Sequence, residues 1–130
     1  MKERMHGKPR IAVVDDDESV RQGLENLISS AGYEAELYAS AEEFLASSEA
    51  GGAACLVLDL RMPGMGGLEL QRRLAAEGRE TPVIVVTAHG DDEARAESIT
   101  AGAVAFLNKP FKEETLLSAI DSALALNRRE

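Results

Sequence analysis

Short apolar runs alternate with helix-period segments five times along the chain. The first run, RIAVV, precedes a segment in which Val20, Leu24, Leu27, Ile28 and Ala31 recur every three or four residues. That spacing puts them on one face of a helix, which Gly32 ends. YEAELY alternates apolar and polar positions, the period of a half-buried strand. In SAEEFLASS, Ser40 and Glu43 stand at capping-box spacing and open a short second helix. ACLVLDL is nearly all apolar, as a strand covered on both faces is. The loop RMPGMGG leads into LELQRRLAAEG, a third helix with Leu70 and Leu74 one turn apart. TPVIVVTA is a second fully buried strand, opened by Pro82. DDEARAESITAG predicts a weakly apolar fourth helix closed by Gly102, and AVAFLN a last strand. KEETLLSAIDSALAL predicts a fifth helix with Leu116, Ile120, Ala123 and Leu124 on one face.

Strict βα alternation at these lengths implies an α/β fold, a parallel sheet wound with helices on both faces. Ligands of such sheets sit at the carboxyl ends of the strands, beside the point where strand order reverses. The first strand delivers Asp15 and Asp16 to that edge, the third Asp59, the fourth Thr87, and the fifth Lys109 followed by Pro110. Taken singly, each is ordinary: a loop acid, a strand-end threonine, a surface lysine. Together they bring three carboxylates, one hydroxyl and one ammonium to one rim.

Asp15, Asp16, Asp17 and Glu18 are consecutive acids, and like charges 4 Å apart repel by roughly 1 kcal/mol even in water. Clustered carboxylates are the ligands of hard divalent cations, and Mg2+ is held by one or two of them together with water and phosphate oxygens. A carboxylate beside such an ion and a lysine is placed to attack a phosphoryl group, a reaction that needs mainly positioning and charge neutralisation. Asp59, alone at the end of a central strand, is the natural nucleophile. Thr87 can donate to a phosphoryl oxygen. Asp17 reads as the cap of the first helix rather than as a metal ligand.

Composition narrows the setting. The chain has 130 residues, enough for one domain with a real core. No apolar run approaches the roughly 20 residues of a membrane span, and MKERMHGKPR lacks the apolar stretch of a secretory signal. Cys55, the single cysteine, falls inside an apolar strand and reads as a core thiol, which favours a reducing cytoplasm. A net charge of −9 argues against direct nucleic-acid binding, and the pair Arg128 and Arg129 is too short to reverse it. His6 reads as a solvated tail residue. His89 has no second histidine or cysteine beside it and reads as a loop residue.

The series VVDDDES, LVLDLRMPGMGGLEL, VIVVTAHGD and AGAVAFLNKPF resembles the receiver domain of two-component response regulators, most closely the FixJ-like branch. The resemblance covers residues 9–126, leaving 1–8 as a polar tail and 127–130 as a tail or the start of a linker. It implies a flavodoxin-like, CheY-like (βα)5 sheet of five parallel strands in the order 2-1-3-4-5. It implies that Asp59 accepts a phosphoryl group from a sensor histidine kinase, so that the domain catalyses its own phosphorylation and slow dephosphorylation without being an enzyme in the usual sense. Asp16 and Asp59 would ligate Mg2+ (Mn2+ can substitute), with Arg61 adding its backbone carbonyl and Asp15 acting through water. Lys109 would pair with the phosphoryl group and Thr87 would bond to it. Phe106 stands at the switch-aromatic position and would turn inward as Thr87 moves. The Lys109–Pro110 bond would be cis, and small Ala88 would leave the phosphate path open.

The same resemblance implies that the fourth helix, fifth strand and fifth helix, including Ile99, Ala103, Lys112 and Glu113, form the surface that changes. That surface would serve a homodimer or a C-terminal DNA-binding domain in a longer protein; a stand-alone receiver and a pseudo-receiver are the alternatives. Three departures stand out. Phe106 replaces a tyrosine. Gly66 replaces a helix-capping Ser, Asp or Asn, which predicts a looser PGMGG loop. Arg61 and His89 occupy variable positions that tune hydrolysis. A flavodoxin-type redox carrier would need a hydroxyl- or glycine-rich phosphate loop where this chain has DDDES. An aspartyl phosphatase would need an acid close after Asp59, where LRMPG follows.

Overall fold

The computed structural model describes residues 8–47, 50–88 and 90–128; His6, His89 and Arg129 lie outside them, and so does the side chain of Arg128. Strand β1 (Arg10–Val14) leads through helix α1 (Glu18–Ser30) to β2 (Glu34–Tyr38) and α2 (Ala41–Ala46). A 3-10 turn (Ala50–Gly52) precedes β3 (Cys55–Leu58) and α3 (Gly67–Ala76). The chain continues through β4 (Val83–Thr87), α4 (Asp92–Thr100), β5 (Ala103–Asn108) and α5 (Glu113–Arg128). The strands form one sheet in the order β2-β1-β3-β4-β5 with every pairing parallel, as expected. The order reverses between β1 and β3, so the carboxyl ends of those two strands flank the crevice where such sheets bind ligands.

Side chains of a strand point alternately to the two faces, and two apolar layers result. Ala12, Val14, Leu56, Leu58, Val83 and Val85 pack with Phe44 of α2 and with Leu70 and Leu74 of α3. Ile11, Val13, Cys55, Val57, Ile84 and Val86 pack on the other face with Leu24 and Ile28 of α1 and Leu116, Ile120, Ala123 and Leu124 of α5. Full burial of one such aliphatic side chain contributes roughly 1.5–3 kcal/mol. The exposed Arg73–Glu77 pair is an ion pair of the kind that contributes about 0.2–1 kcal/mol. The apolar layers therefore set where the strand ends lie.

Local signals close the helices. Asp17 caps α1 by accepting the Val20 N–H, and Ser40 caps α2 by accepting the Glu43 N–H. Gly32 and Gly102 adopt positive φ just beyond α1 and α4, a backbone state that costs glycine little. Ala31 departs from the predicted apolar face of α1: the helix ends at Ser30 and Ala31 is an exposed cap residue. Helix α4 buries a single side chain, Ser98, and Gln71 of α3 donates to the Ser98 carbonyl at 3.1 Å.

Strand β5 contains an irregularity with consequences for the site. Val83 pairs with Ala103 but Ile84 pairs with Ala105, so Val104 has no partner in β4. Such a bulge reverses the alternation beyond it. Ala103 and Phe106, three residues apart, consequently face the same side, and Val104 is turned out to solvent. This corrects the expected switch surface. Ala103 is buried there, and Val104 stands exposed with Ile99. Among the described residues, no helix is long and apolar enough to cross a membrane.

Candidate functional site

The carboxyl ends of the strands bring the expected acids together. One carboxylate oxygen each from Asp15, Asp16 and Asp59 lies within 4.8 Å of the others. Asp15 and Asp59 are 2% and 8% exposed, whereas Asp16 faces solvent. Two ladder-like bonds fix the backbone here: the Asp15 N–H donates to Tyr38 of β2 and the Asp59 N–H to Val14 of β1. The pocket is a hard oxygen donor set, closed beneath and open on the Asp16 side. Its chemistry fits a small divalent cation such as Mg2+.

Lys109 enters from the end of β5. Its ammonium lies 2.9 Å from Asp15 Oδ2 and 3.5 Å from Asp59 Oδ2. The Lys109 N–H donates to the Thr87 carbonyl at 2.9 Å, which ties the ends of β4 and β5 together, and the Lys109–Pro110 bond is cis. Asp59 Oδ1 faces the Arg61 N–H at 3.4 Å. Asp15 Oδ1 accepts from the Asp17 N–H, and the Arg21 guanidinium donates to the Asp15 carbonyl at 2.8 Å.

The protonation balance follows from this packing. Burial pushes the Asp15 carboxyl above its ordinary value, with Asp59 adding to the rise. The Asp17 N–H and Lys109 oppose that rise without cancelling it. Burial on its own would depress Lys109, yet the bond to Asp15 and the charges of Asp15 and Asp59 outweigh it and leave the ammonium raised. The pairing alone would lower Asp15; lost hydration wins there because that carboxylate is nearly sealed from water.

Thr87 ends β4 fully buried. Phe106 pairs in register with Val85, and Thr87 lies two residues beyond Val85 on the same face. The Phe106 ring is buried here, only 6% exposed. The reason is space beside it. A Cβ on Gly90 would stand 2.6 Å from Phe106 Cε1 and 2.2 Å from Asn108 Oδ1. The Arg95 guanidinium lies 5.8 Å from the centre of the Phe106 ring, within cation–π range.

The β3–α3 loop also differs from the looser one expected. Gly66 supplies no side-chain cap to α3. The Glu42 carboxylate of α2 instead accepts the Met65 N–H at 2.9 Å, and the Gly67 N–H donates to the Leu60 carbonyl. Gly67 is packed so closely that a Cβ would meet the Asp59 carbonyl at 2.3 Å. Glu42, Arg21, Gly67 and Gly90 were not singled out from the sequence. A loop with three glycines and no capping residue was the one signal that an outside group must hold it.

Comparison with known proteins agrees with this geometry. The response regulator receiver domain family matches residues 11–121. The response regulator protein TodT of Pseudomonas putida is 44% identical over 116 residues, 89% of this chain and 51% of its own. The transcriptional regulatory protein FixJ of Bradyrhizobium diazoefficiens is 39% identical over 120 residues, 92% of this chain and 58% of its own. The solved structure of the response regulator StyR superposes with a TM-score of 0.86 at 48% identity, covering 95% of this chain and 62% of that one. The chain thus spans about half the length of the curated relatives it matches.

Proposed function

The chain belongs to the response regulator receiver family, and on that premise we propose that Asp59 is its phosphoacceptor. The observation that carries this reading is the convergence of Asp15, Asp16 and Asp59 within 4.8 Å beside the Lys109 ammonium. Asp15 and Asp59 both face Lys109, and of the two Asp59 follows β3, the middle strand of the sheet. An Asp59 oxygen attacks phosphorus, and the bond from phosphorus to the imidazole nitrogen of a sensor kinase phosphohistidine breaks. The products are an aspartyl phosphate and the free histidine. Water later hydrolyses the acyl phosphate and restores the carboxylate.

Asp16 and Asp59 by side chain, Arg61 by its carbonyl and Asp15 through water would hold Mg2+ or Mn2+. When bound, the ion neutralises the crowded carboxylates and the oxygens of the incoming phosphoryl group. Lys109 shifts its allegiance from Asp15 to a phosphoryl oxygen, and the Thr87 hydroxyl donates to another. Small, exposed Ala88 leaves the approach open. Phe106 reports on Thr87 because the two share a face of the sheet.

The fourth-helix, fifth-strand and fifth-helix surface, with Ile99, Val104, Lys112 and Glu113 exposed, is where a change at Thr87 would be read. A second copy, or a DNA-binding output domain in a longer protein, is the reader of that surface. The similarity to a transcriptional regulator of which the matched residues make up 58% supports this assignment. We place the receiver unit at residues 9–126 and its setting in the cytoplasm, where a lone buried thiol is stable.

The test is intact-mass measurement after incubation with acetyl phosphate. Wild-type protein gains one phosphoryl group with Mg2+ and none with a chelator, and Asp59→Asn gains none under either condition. Equal labelling of Asp59→Asn and wild type contradicts the assignment.

A further inference from the structure

We infer that Glu42, on a helix that contributes nothing to the acidic cluster, positions the loop carrying the Arg61 carbonyl through its bond to the Met65 N–H. This rests on the cation reading proposed above. The loop between β3 and α3 runs from Asp59 to Gly66, and Gly64 and Gly66 leave it little restraint of its own. Its two ends close on each other through the Gly67 N–H and the Leu60 carbonyl, 2.9 Å apart. Gly66 offers no capping side chain to α3.

Glu42 supplies the missing restraint from 23 residues away. Its Oε2 accepts the Met65 N–H at 2.9 Å. The carboxylate nests where a side chain on residue 64 would be: a Cβ on Gly64 would stand 2.6 Å from the same oxygen, and Gly64 has a φ of 77°. Gly64 therefore allows the turn and admits the carboxylate at once. Helix α2 is itself well anchored, with Ala41 and Phe44 buried and Ser40 capping its first turn. Met62 and Met65 pack against the same apolar layer as Phe44. The Met65 N–H holds the Glu42 carboxyl below the usual range, with the Glu42 N–H helping, so the anion is the bonded form at neutral pH. With Met65 pinned, the segment from Arg61 to Gly64 is held at its far end as well, and the carbonyl to be offered to the cation is at its start. A ligand held in advance binds with less ordering cost.

The experiment uses the full chain, with Mg2+ affinity read by titration calorimetry and backbone exchange read at the Met65 amide. Glu42→Ala should weaken Mg2+ binding by about threefold to tenfold, at or below the low end of what outer-shell partners contribute. It should also speed Met65 exchange, while the labelling rate at saturating Mg2+ stays within about twofold of wild type, as a lost positioning contact predicts. Glu42→Gln keeps an oxygen acceptor and should restore both affinity and protection. Unchanged Mg2+ affinity in Glu42→Ala, or equal weakening in Glu42→Gln, overturns the inference while the cation reading stands. No Mg2+ uptake by wild type overturns the cation reading, and this inference with it.

Discussion

Lys109 donates to Asp15 at 2.9 Å, although the two residues are 94 positions apart in the chain. The contact exists because β1 and β5 end at the same rim and because Lys109 is tied to β4 through the Thr87 carbonyl. The ammonium thus balances the acids before any phosphoryl group arrives, and stands 3.5 Å from the nucleophile it later serves. Lys109→Ala leaves a nearly buried Asp15 without its counter-charge. It should cost roughly 1–3 kcal/mol of metal-free stability, measured by urea unfolding. The same variant should bind Mg2+ no more weakly than wild type, because a competing cation is gone, yet label with acetyl phosphate at least about tenfold more slowly, as loss of a transition-state charge partner does. Loss of Mg2+ affinity together with normal labelling would reverse the assigned role.

Adjacent acids are predicted to behave differently. Asp17 Oδ1 is engaged by the Val20 N–H at 3.1 Å, whereas Asp16 belongs to the carboxylate cluster. Asparagine caps helices about as well as aspartate, so Asp17→Asn should leave stability within about 0.5 kcal/mol and Mg2+ affinity nearly intact. Asp16→Asn should weaken Mg2+ binding by about tenfold or more, as removal of a charged ligand does. Titration calorimetry on the two variants makes the comparison, and equal losses would show the metal is seated elsewhere.

Phe106 and Gly90 form one mechanical unit. A methyl group on residue 90 would occupy the space of the ring edge and of the Asn108 side chain. Gly90→Ala should therefore push Phe106 out of its slot or open the β4–α4 loop. Ring resonances of Phe106 should shift in the unphosphorylated protein, and stability should fall by about 1–3 kcal/mol, the usual range for overpacking. A spectrum in which Phe106 is unmoved would mean that the loop alone absorbs the added carbon.

Cys55 tests the apolar layers independently of the site. Burial lifts its thiol from 9.0 to about 12, and the side chain is fully enclosed. Native protein should resist thiol reagents at pH 8 and react once unfolded. A raised acid favours folding fully below its ordinary value and loses that contribution as pH rises toward the folded value. Between pH 9 and 12, therefore, this thiol should reduce stability by about 1.4 kcal/mol per pH unit. A thiol that reacts freely in the native state would contradict the enclosed β3.

Much of this was legible in the chain because burial on two faces forces a recognisable pattern. CLVL and VIVVT read as interior strands, and the residues that end each strand identified the rim. The bulge at Val104 was not legible, since AVAFLN alternates plausibly in either phase, and it decides whether Ala103 or Val104 is exposed. The Glu42–Met65 bond joins segments whose approach depends on the completed sheet, so no local spacing announces it. The buried Phe106 ring depends on an absent side chain at Gly90, and sequence alone does not say which glycine makes room for which ring.

The most direct measurement is to trap the acyl phosphate. Protein phosphorylated with Mg2+ and a small phosphoryl donor is reduced with borohydride, which converts an aspartyl phosphate to homoserine, and the peptides are mapped by mass spectrometry. The account predicts homoserine at position 59 alone, dependent on Mg2+ and absent with a chelator. Homoserine at position 15 or 16, or no reducible adduct at all, would contradict it.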